Sequence, residues 1–248
     1  RLLVDYGLPV FQLNRYFAKE LQKHGIEVRY YNTSGILEAY KMQFRSHRKL
    51  IVVDDQMAIT GGRNIADEYF DLSKKYNFLD TDIYVEGSVA KKMRETFDAF
   101  WDYKMSVPAK PVIELSRQDF TMAYPGRAGD HQNAYDKAVA RYRQQSAQAA
   151  DYVTENAHDR EIFEKVEKIG AQELSQEIAS VCTDTTFAAD FPGVGDDNRV
   201  LARQLTEEVA MAKESFYVQR PYFVINKSGH AVLEKLLKDN VRMAILTI

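Results

Sequence analysis

Short aliphatic stretches alternate with helical stretches along much of the chain, and this alternation most limits what the sequence can fold into. Apolar runs such as "RLLVDY", "IEVRYY" and "KLIVV" are typical of buried β-strands. Between the first two runs, Pro9 predicts the start of a helix, Leu13, Phe17 and Leu21 recur at a helical spacing, and Gly25 predicts the end of that helix. Strands that alternate with helices predict a mixed α/β architecture.

The alternation is predicted to continue beyond the third strand. The pair Asp54-Asp55 predicts a turn into a strand "QMAIT", and Asn64 is predicted to cap a short helix that runs through Tyr69. Another strand is predicted in "LDTDIYVEG", followed by a helix that begins at Ser88. Residues 134–181 are polar and predict two helices broken near "HDR".

We divide the sequence into three parts. Residues 1–104 are predicted to form a first α/β half, and residues 105–182 a connecting region with a helical insertion. Residues 183–248, which open with the predicted strand "TTFAADFPG", are predicted to begin a second α/β half. The stretch "VRMAILT" near the end has the character of "RLLVD" at the start, which favours an internal duplication incomplete at both ends.

Charge and apolar content argue against several classes of protein. The formal net charge of -3 gives no basic footprint for nucleic acid, which is therefore not the expected partner. The longest aliphatic run, Leu50 to Val53, is too short to cross a bilayer. Cys182 is the only cysteine, so no internal disulfide forms. No targeting segment is visible in a sequence that begins at Arg1.

Two ionisable side chains stand at the start of the third strand. Alternate side chains of a strand share one face, so His47 and Lys49 are predicted to point the same way. An imidazole is a competent nucleophile and acid, and an ammonium binds phosphate oxygens. Gly61, Gly62 and Asn64 follow, and they add close backbone approach and a hydrogen-bond donor. The combination predicts a phosphate site, where positioning and charge supply most of the rate.

The spacing H-x-K-x4-D followed by G-G-x-N resembles the HKD motif of the phospholipase D superfamily. The resemblance extends through "GGRNIADEYF" and "FLDTDIYVEGSVAKKMRETFDAFW", which are similar to bacterial cardiolipin synthases, particularly those of C type. It covers residues 1–104 and 183–248. The resemblance implies a phospholipase D-like α/β/α sandwich, pseudo-twofold duplicated, of which this sequence holds one nearly complete half and the start of the second.

The resemblance also implies a role for each motif residue. His47 would attack the phosphodiester phosphorus, giving a phosphohistidine intermediate, or would protonate the leaving group. Lys49 and Asn64 would bind the non-bridging oxygens, together with the backbone at Gly62. Asp80 would hydrogen-bond the histidine and fix its tautomer, as a third group does in catalytic triads.

Asp54 and Gly61 are expected to be structural members of the motif rather than chemical participants. The resemblance implies no metal and no other cofactor, because lysine and histidine supply the positive charge. Aspartates such as Asp82 beside Asp80 lack a histidine or cysteine to complete a ligand set.

One departure from the family pattern concerns the second HKD motif. The family uses two histidines, one as nucleophile and one as acid, and this sequence has one H-x-K. No lysine stands two residues after any of the other histidines, which are His24, His131, His158 and His230. The missing half is therefore expected either beyond Ile248 or from a second subunit, and these 248 residues alone are expected to be inactive.

The resemblance favours an enzyme of phospholipase D type, a phosphatidyltransferase or hydrolase acting on phospholipids at a membrane surface, associated with the bacterial inner membrane. One alternative is a single-motif dimeric phosphodiesterase or nuclease, against which the net acidity argues. Another is an inactive lipid-binding module, which would fit a degenerate second motif. Lys74 and Lys75 are expected to be solvated, with contact to anionic headgroups as the other interpretation.

Overall fold

The chain folds into alternating strands and helices, as seen in a computed structural model. The structure describes residues 1–7, 13–33, 44–110, 112–114, 116–123, 131–157, 164, 181–193 and 199–247. The strands in these ranges are β1 Leu2–Asp5, β2 Val28–Tyr31, β3 Leu50–Val53, β4 Met57–Gly61, β5 Asp82–Glu86, β6 Ser106–Pro108, β7 Ser215–Gln219 and β8 Arg242–Leu246. The helices are α1 Arg15–Lys23, α2 Ser88–Trp101, α3 Arg117–Ala123, α4 His131–Ala157, α5 Val200–Ala210 and α6 Lys227–Lys238, with a 3-10 turn at Asp67–Tyr69.

The first sheet has the order β1-β2-β6. Strands β1 and β2 are parallel, with Leu2 opposite Val28, and helix α1 makes the crossover between them. Strand β6 pairs antiparallel with β2. Ala18 of α1 packs with Val28, Tyr30 and Ala109 in a buried cluster. Burial of these apolar side chains fixes the helix on the sheet, and it leaves the carboxyl ends of β1 and β2 side by side.

The second sheet has the order β3-β4-β5 and begins with a tight hairpin. Asp54 and Asp55 both have positive φ, 51° and 56°, and the Gln56 N–H donates to the Val53 carbonyl at 3.1 Å. Two successive residues of positive φ are what a type I′ hairpin turn requires. Leu50 and Val52 share the face that packs against α2 in a cluster with Ala58, Val85, Phe187, Ala90 and Met93.

The prediction that the third strand is buried holds for one face only. Ile51 and Val53 alternate with the packed residues and are each 44% exposed. Strand β3 is therefore half-buried, with α2 on one face. The regular strand also begins at Leu50, so His47 and Lys49 lie in the extended segment immediately before it.

A third sheet pairs β7 with β8 in parallel, with α6 as the crossover. Helices α1 and α6 end in the same way. The N–H groups of Ile26 and Val241 donate to the carbonyls of Leu21 and Leu236, five residues back, across left-handed residues Gly25 and Asn240. This is a Schellman motif. Each helix also begins at an asparagine N-cap, Asn14 or Asn226. The two β-α-β units are thus built from the same local devices.

Several predicted elements differ in the structure. Residues 185–193, predicted as the strand "TTFAADFPG", have no strand structure. Instead Phe187 packs on the cluster beneath the second sheet, and the Asp190 carboxylate accepts the Leu201 N–H at 2.9 Å near the start of α5. Asn64 does not cap the short helix, because that 3-10 turn starts after Ala66.

Some predictions lie outside the described residues, including the helix start at Pro9 and the second helix after "HDR".

The chain divides into two compact units. Unit 1 contains Arg1–Lys49, Thr60–Asp82 and Phe100–Thr185, and unit 2 contains Leu50–Ile59, Ile83–Ala99 and Thr186–Ile248. The three-part division of the sequence into halves and insertion stays a prediction.

Candidate functional site

The segment that carries His47 is anchored to the carboxyl ends of β1 and β2. Asp5, the last residue of β1, accepts the Ser46 N–H at 2.8 Å and an Arg45 N–H at 3.2 Å. Asn32 follows β2, is fully buried with φ of 56°, and donates to the Phe44 carbonyl at 3.3 Å. Burial raises the pKa of Asp5, and this effect exceeds the opposing effect of its hydrogen bonds and of Arg45.

His47 and Lys49 lie on the same side of this segment. The Lys49 Nζ is 3.3 Å from the His47 Nδ1 and donates to the His47 carbonyl at 2.8 Å. The imidazole is exposed and the ammonium is half-buried. The Lys49 carbonyl in turn accepts the Thr60 hydroxyl at 2.9 Å, which ties the segment to the end of β4. The imidazole of His47 and the ammonium of Lys49 therefore lie within hydrogen-bonding distance of each other.

Lys49 is partly desolvated, and this lowers its pKa from the usual value. The Asp80 carboxylate acts in the opposite direction and favours the charged ammonium, but burial is the larger effect. A less hydrated cation interacts more strongly with an anion that enters the site, because less water has to be displaced.

Gly61 and Gly62 allow the end of β4 to lie against residues 80–82. A Cβ on Gly62 would be 2.4 Å from the Asp80 Oδ1, and one on Gly61 would be 2.1 Å from the Asp82 Oδ1. A Cβ on Gly61 would also lie 2.6 Å from the Thr81 carbonyl oxygen and 2.7 Å from the Asp82 Cα, so this position requires glycine, whereas a Cβ on Gly62 would meet only the Asp80 side chain. The glycine pair thus determines where the two carboxylates lie.

Asp80 is held by its own backbone neighbour, because its Oδ1 accepts the Thr81 N–H at 2.8 Å. Within residues 44–110, its carboxylate is not hydrogen-bonded to His47, and its charge acts on Lys49 instead. If Lys49 donates to the His47 Nδ1, that nitrogen carries no proton. If the Asp80 carboxylate accepts from Nδ1, the nitrogen must carry one, so the two contacts require different imidazole tautomers. The role of Asp80 as the tautomer-fixing partner of His47 stays a prediction.

Arg63 connects parts of this site and, like Asp5 and Asn32, is a residue that sequence reasoning missed. Its Nε donates to the Asp82 carboxylate at 2.6 Å, and its other nitrogens donate to the Tyr69 carbonyl and, at 3.3 Å, to the Asp80 carbonyl. The hydrogen bond to Asp82 is the main reason that the pKa of Arg63 is raised. A planar guanidinium can satisfy three acceptors in fixed directions, which an ammonium does less well.

Asn64, adjacent to Arg63, is exposed, and its Nδ2 donates to the Tyr69 hydroxyl at 2.7 Å. Its amide is thus oriented by a side chain of the 3-10 turn.

Asp54 lies in the β3–β4 turn with φ of 51°. The structure groups His47, Lys49, Asp80 and the two glycines in unit 1, and it assigns Asp54 to unit 2. The functional assignment of every one of these residues stays a prediction.

Among the described residues, no group of three or more His, Cys, Asp or Glu side chains is arranged to hold a metal ion. In the same part of the chain, no helix has both the length and the apolar content that a membrane span requires.

Comparison with known proteins gives the class of the first hundred residues. Residues 1–101 match the family model of the cardiolipin synthase, PLD-like domain. The resemblance to the phospholipase D superfamily, and within it to cardiolipin synthases, is therefore confirmed.

Individual relatives extend the similarity beyond this domain. The chain is 22% identical over 235 residues to cardiolipin synthase C of Escherichia coli, a match that covers 90% of this chain and 45% of that protein. It is 34% identical over 110 residues to cardiolipin synthase 1 of Bacillus anthracis, covering 43% of this chain and 21% of the relative. The chain thus spans less than half the length of these relatives.

A solved structure supports the fold class. The chain is similar to phosphatidylserine synthase of Haemophilus influenzae with a TM-score of 0.53 and 13% sequence identity, covering 99% of this chain and 48% of that chain. At this identity the likeness concerns the fold. Together with the family match, it confirms the predicted α/β phospholipase D-like fold.

Proposed function

We propose that the protein of which this chain is part transfers a phosphatidyl group between phospholipids, or from a phospholipid to water, with His47 bonding to phosphorus. The observation that supports this most directly is the 3.3 Å separation of the Lys49 Nζ and the His47 Nδ1 on one side of the chain. An exposed imidazole beside a partly desolvated ammonium suits a phosphodiester, which presents an electrophilic phosphorus and two anionic oxygens.

In the proposed reaction, a nitrogen of neutral His47 donates an electron pair to phosphorus while the bond from phosphorus to the leaving alcohol oxygen breaks. The alcohol leaves with a proton from a second acid, and the phosphatidyl group stays on His47. An acceptor hydroxyl then attacks phosphorus, gives its proton to the same group, and releases His47. Lys49 and Asn64 bind the non-bridging oxygens, with help from the backbone at Gly62, and Lys49 offsets the charge that develops on them.

The second acid is not supplied by another H-x-K in these 248 residues. The relatives named above are more than twice as long as the matched region. We infer that the acid comes from a further part of a longer chain or from a second subunit. The substrate would be a phospholipid at the surface of a bacterial inner membrane, with no metal or cofactor required.

Transfer between phospholipids is favoured over a nuclease because residues 1–101 match a cardiolipin synthase domain and the formal net charge is -3. Binding a polyanion depends on many lysine and arginine contacts, and a nuclease would show steep salt dependence. A lipid-binding module without catalytic activity would form no bond between His47 and phosphorus.

The test uses the full-length protein with labelled phosphatidylglycerol and identifies the lipid products by mass spectrometry. We expect His47→Ala to lower turnover by at least about a thousandfold, because the step that forms the phosphorus–nitrogen bond is lost. His230→Ala is the matched control, since His230 is an exposed histidine on α6. Acid quenching of the wild-type reaction should trap lipid phosphate on His47. Unchanged turnover in His47→Ala would refute the proposal.

A further inference from the structure

A surface turn close in sequence to the candidate site exposes apolar and cationic side chains together. It comprises residues 72–79, "LSKKYNFL", and is called the 72–79 turn below. Tyr76 is 58% exposed, Phe78 is 47% exposed and Leu79 is fully exposed. Lys74 and Lys75 are exposed beside them. Large apolar side chains grouped in this way mark surfaces that contact something other than water.

The turn has a defined conformation. The Ser73 N–H donates to the Asn77 Oδ1 at 3.2 Å, and the Asn77 Nδ2 donates back to the Ser73 carbonyl at 3.2 Å. The Lys75 N–H donates to the Ser73 hydroxyl at 3.3 Å. The Tyr76 and Phe78 rings meet edge to face with centroids 5.3 Å apart. These contacts restrain the backbone that carries the lysines and pack the two aromatic rings against each other.

The charge of the 72–79 turn is opposite to that of the whole chain. It carries two lysines and no acidic residue, whereas the chain has a formal net charge of -3. Within the described residues, neither Lys74 nor Lys75 forms an ion pair. The nearest acidic residue before the turn, Asp71, is one of the carboxylates that raise the pKa of Arg63. The two ammonium groups are therefore available to an external anion.

The turn is also connected to the site through aromatic contacts. Phe78 packs against Tyr69 with ring centroids 5.0 Å apart, and its N–H donates to the Glu68 carbonyl at 2.7 Å. The Tyr69 hydroxyl accepts the Asn64 amide, which is a candidate phosphate-binding group. A ligand that binds the turn thus lies next to the segment that orients Asn64.

We propose that the 72–79 turn binds the surface of an anionic lipid bilayer. Lys74 and Lys75 contact lipid phosphates, while Tyr76 and Leu79 enter the boundary between headgroups and acyl chains, where amphipathic and aromatic side chains are favoured. The inference deepens the proposed function, on which it rests, by naming the segment that brings the site to its substrate. Exposed lysines beside an exposed tyrosine and leucine match a surface that presents phosphates above an apolar layer.

The experiment measures partition of the full-length protein onto phosphatidylcholine vesicles with and without phosphatidylglycerol, by co-sedimentation. We expect the double variant Lys74→Gln/Lys75→Gln to lower partition onto the anionic vesicles by about 25-fold, about fivefold per lysine, with little change on neutral ones. Leu79→Ser should lower partition onto both kinds of vesicle by about tenfold. Val181→Ser, which changes a residue that is 96% exposed outside the turn, is the control and should bind like the wild type.

The result separates this inference from the proposed function because partition does not depend on turnover. His47→Ala should bind vesicles as the wild type does, so loss of turnover and loss of binding are distinct outcomes. Equal partition of the wild type and both turn variants would overturn the inference, as would a wild type that does not bind anionic vesicles. A change of oligomeric state or melting temperature in the turn variants, without a change in partition, would assign the turn to protein contact and would also overturn it.

Discussion

The Arg63 guanidinium is bonded to the Asp82 carboxylate at 2.6 Å, and this pair joins the segment after β4 to the start of β5. Both side chains are half-buried, so the pair is less screened by solvent than a surface ion pair. Arg63 also donates to the carbonyls of Tyr69 and Asp80. One side chain therefore holds together the segments that carry Asn64 and Asp80.

Arg63→Lys tests this positioning role in the full-length protein. A lysine keeps the charge but cannot satisfy the three acceptors at once, so we expect the free energy of unfolding to fall by about 1 kcal/mol. Turnover should fall more than tenfold with little change in substrate KM, because the phosphate-binding groups are misplaced rather than removed.

Arg94→Lys is the matched control for this substitution. Arg94 bonds Asp98 and Asp55 in an exposed network, and its loss should cost less than about 0.5 kcal/mol and leave turnover unchanged. Equal effects of the two substitutions on turnover would contradict the positioning role of Arg63.

Gly62→Ala should destabilise the site by steric conflict. The added methyl group would lie 2.4 Å from the Asp80 carboxylate, and the strand and the carboxylate would have to separate. We expect the free energy of unfolding, measured by urea denaturation, to fall by about 1–3 kcal/mol. Gly229→Ala in α6 is the control, since its Cβ would meet the Ile225 side chain at 3.1 Å and a helix favours alanine. A fully stable Gly62→Ala protein would contradict the packing.

Lys49→Met should separate stability from function. Burial lowers the pKa of Lys49 in the folded state. The contribution of Lys49 to the free energy of unfolding is therefore most favourable above the unfolded-state pKa, where the lysine is neutral. This contribution is lost as the pH falls through the folded-state pKa. At neutral pH the charged ammonium therefore costs stability, and Lys49→Met should raise the free energy of unfolding by up to about 0.5 kcal/mol, because solvent screens a half-buried group.

The pH dependence provides the check on Lys49→Met. Urea denaturation at neutral pH and near pH 10.5, the usual lysine pKa, should show the advantage of the variant shrinking as the pH rises. Turnover should be lost at both pH values, since the phosphate oxygens lose their cation. A variant that is less stable than the wild type at neutral pH would show that the Lys49 hydrogen bond to the His47 carbonyl outweighs desolvation.

Most of the regular elements could be predicted from local pattern. The aliphatic runs became β1, β2 and β3, and the helix predicted to begin at Ser88 became α2. These predictions succeed because periodicity reports which face of an element is buried. The strand predicted at residues 185–193 was wrong because apolar residues alone do not provide a neighbouring strand, and Phe187 is partly buried by packing on a cluster instead.

The contacts of the site were less accessible to sequence reasoning. Asp5 and Asn32 anchor the His47 segment although Asp5 is 41 residues from its partner Ser46. A signal existed, since both are polar residues that end apolar strands, where parallel sheets place ligand-binding groups. Arg63 had no such signal. It occupies the variable position of the G-G-x-N pattern, and the pattern does not predict an ion pair between that position and Asp82.

The sequence by itself determined the kind of chain and the chemical groups of the candidate site, because strand and helix periodicity and the spacing from His47 to Asn64 are local properties. Only the tertiary structure decided which groups restrain those side chains: Asp80 acting on Lys49, Arg63 on Asp82, and Asp5 and Asn32 on the segment before β3. The physical reason is that desolvation and hydrogen-bond geometry depend on segments distant in sequence meeting in space, and no local pattern specifies which atoms will meet.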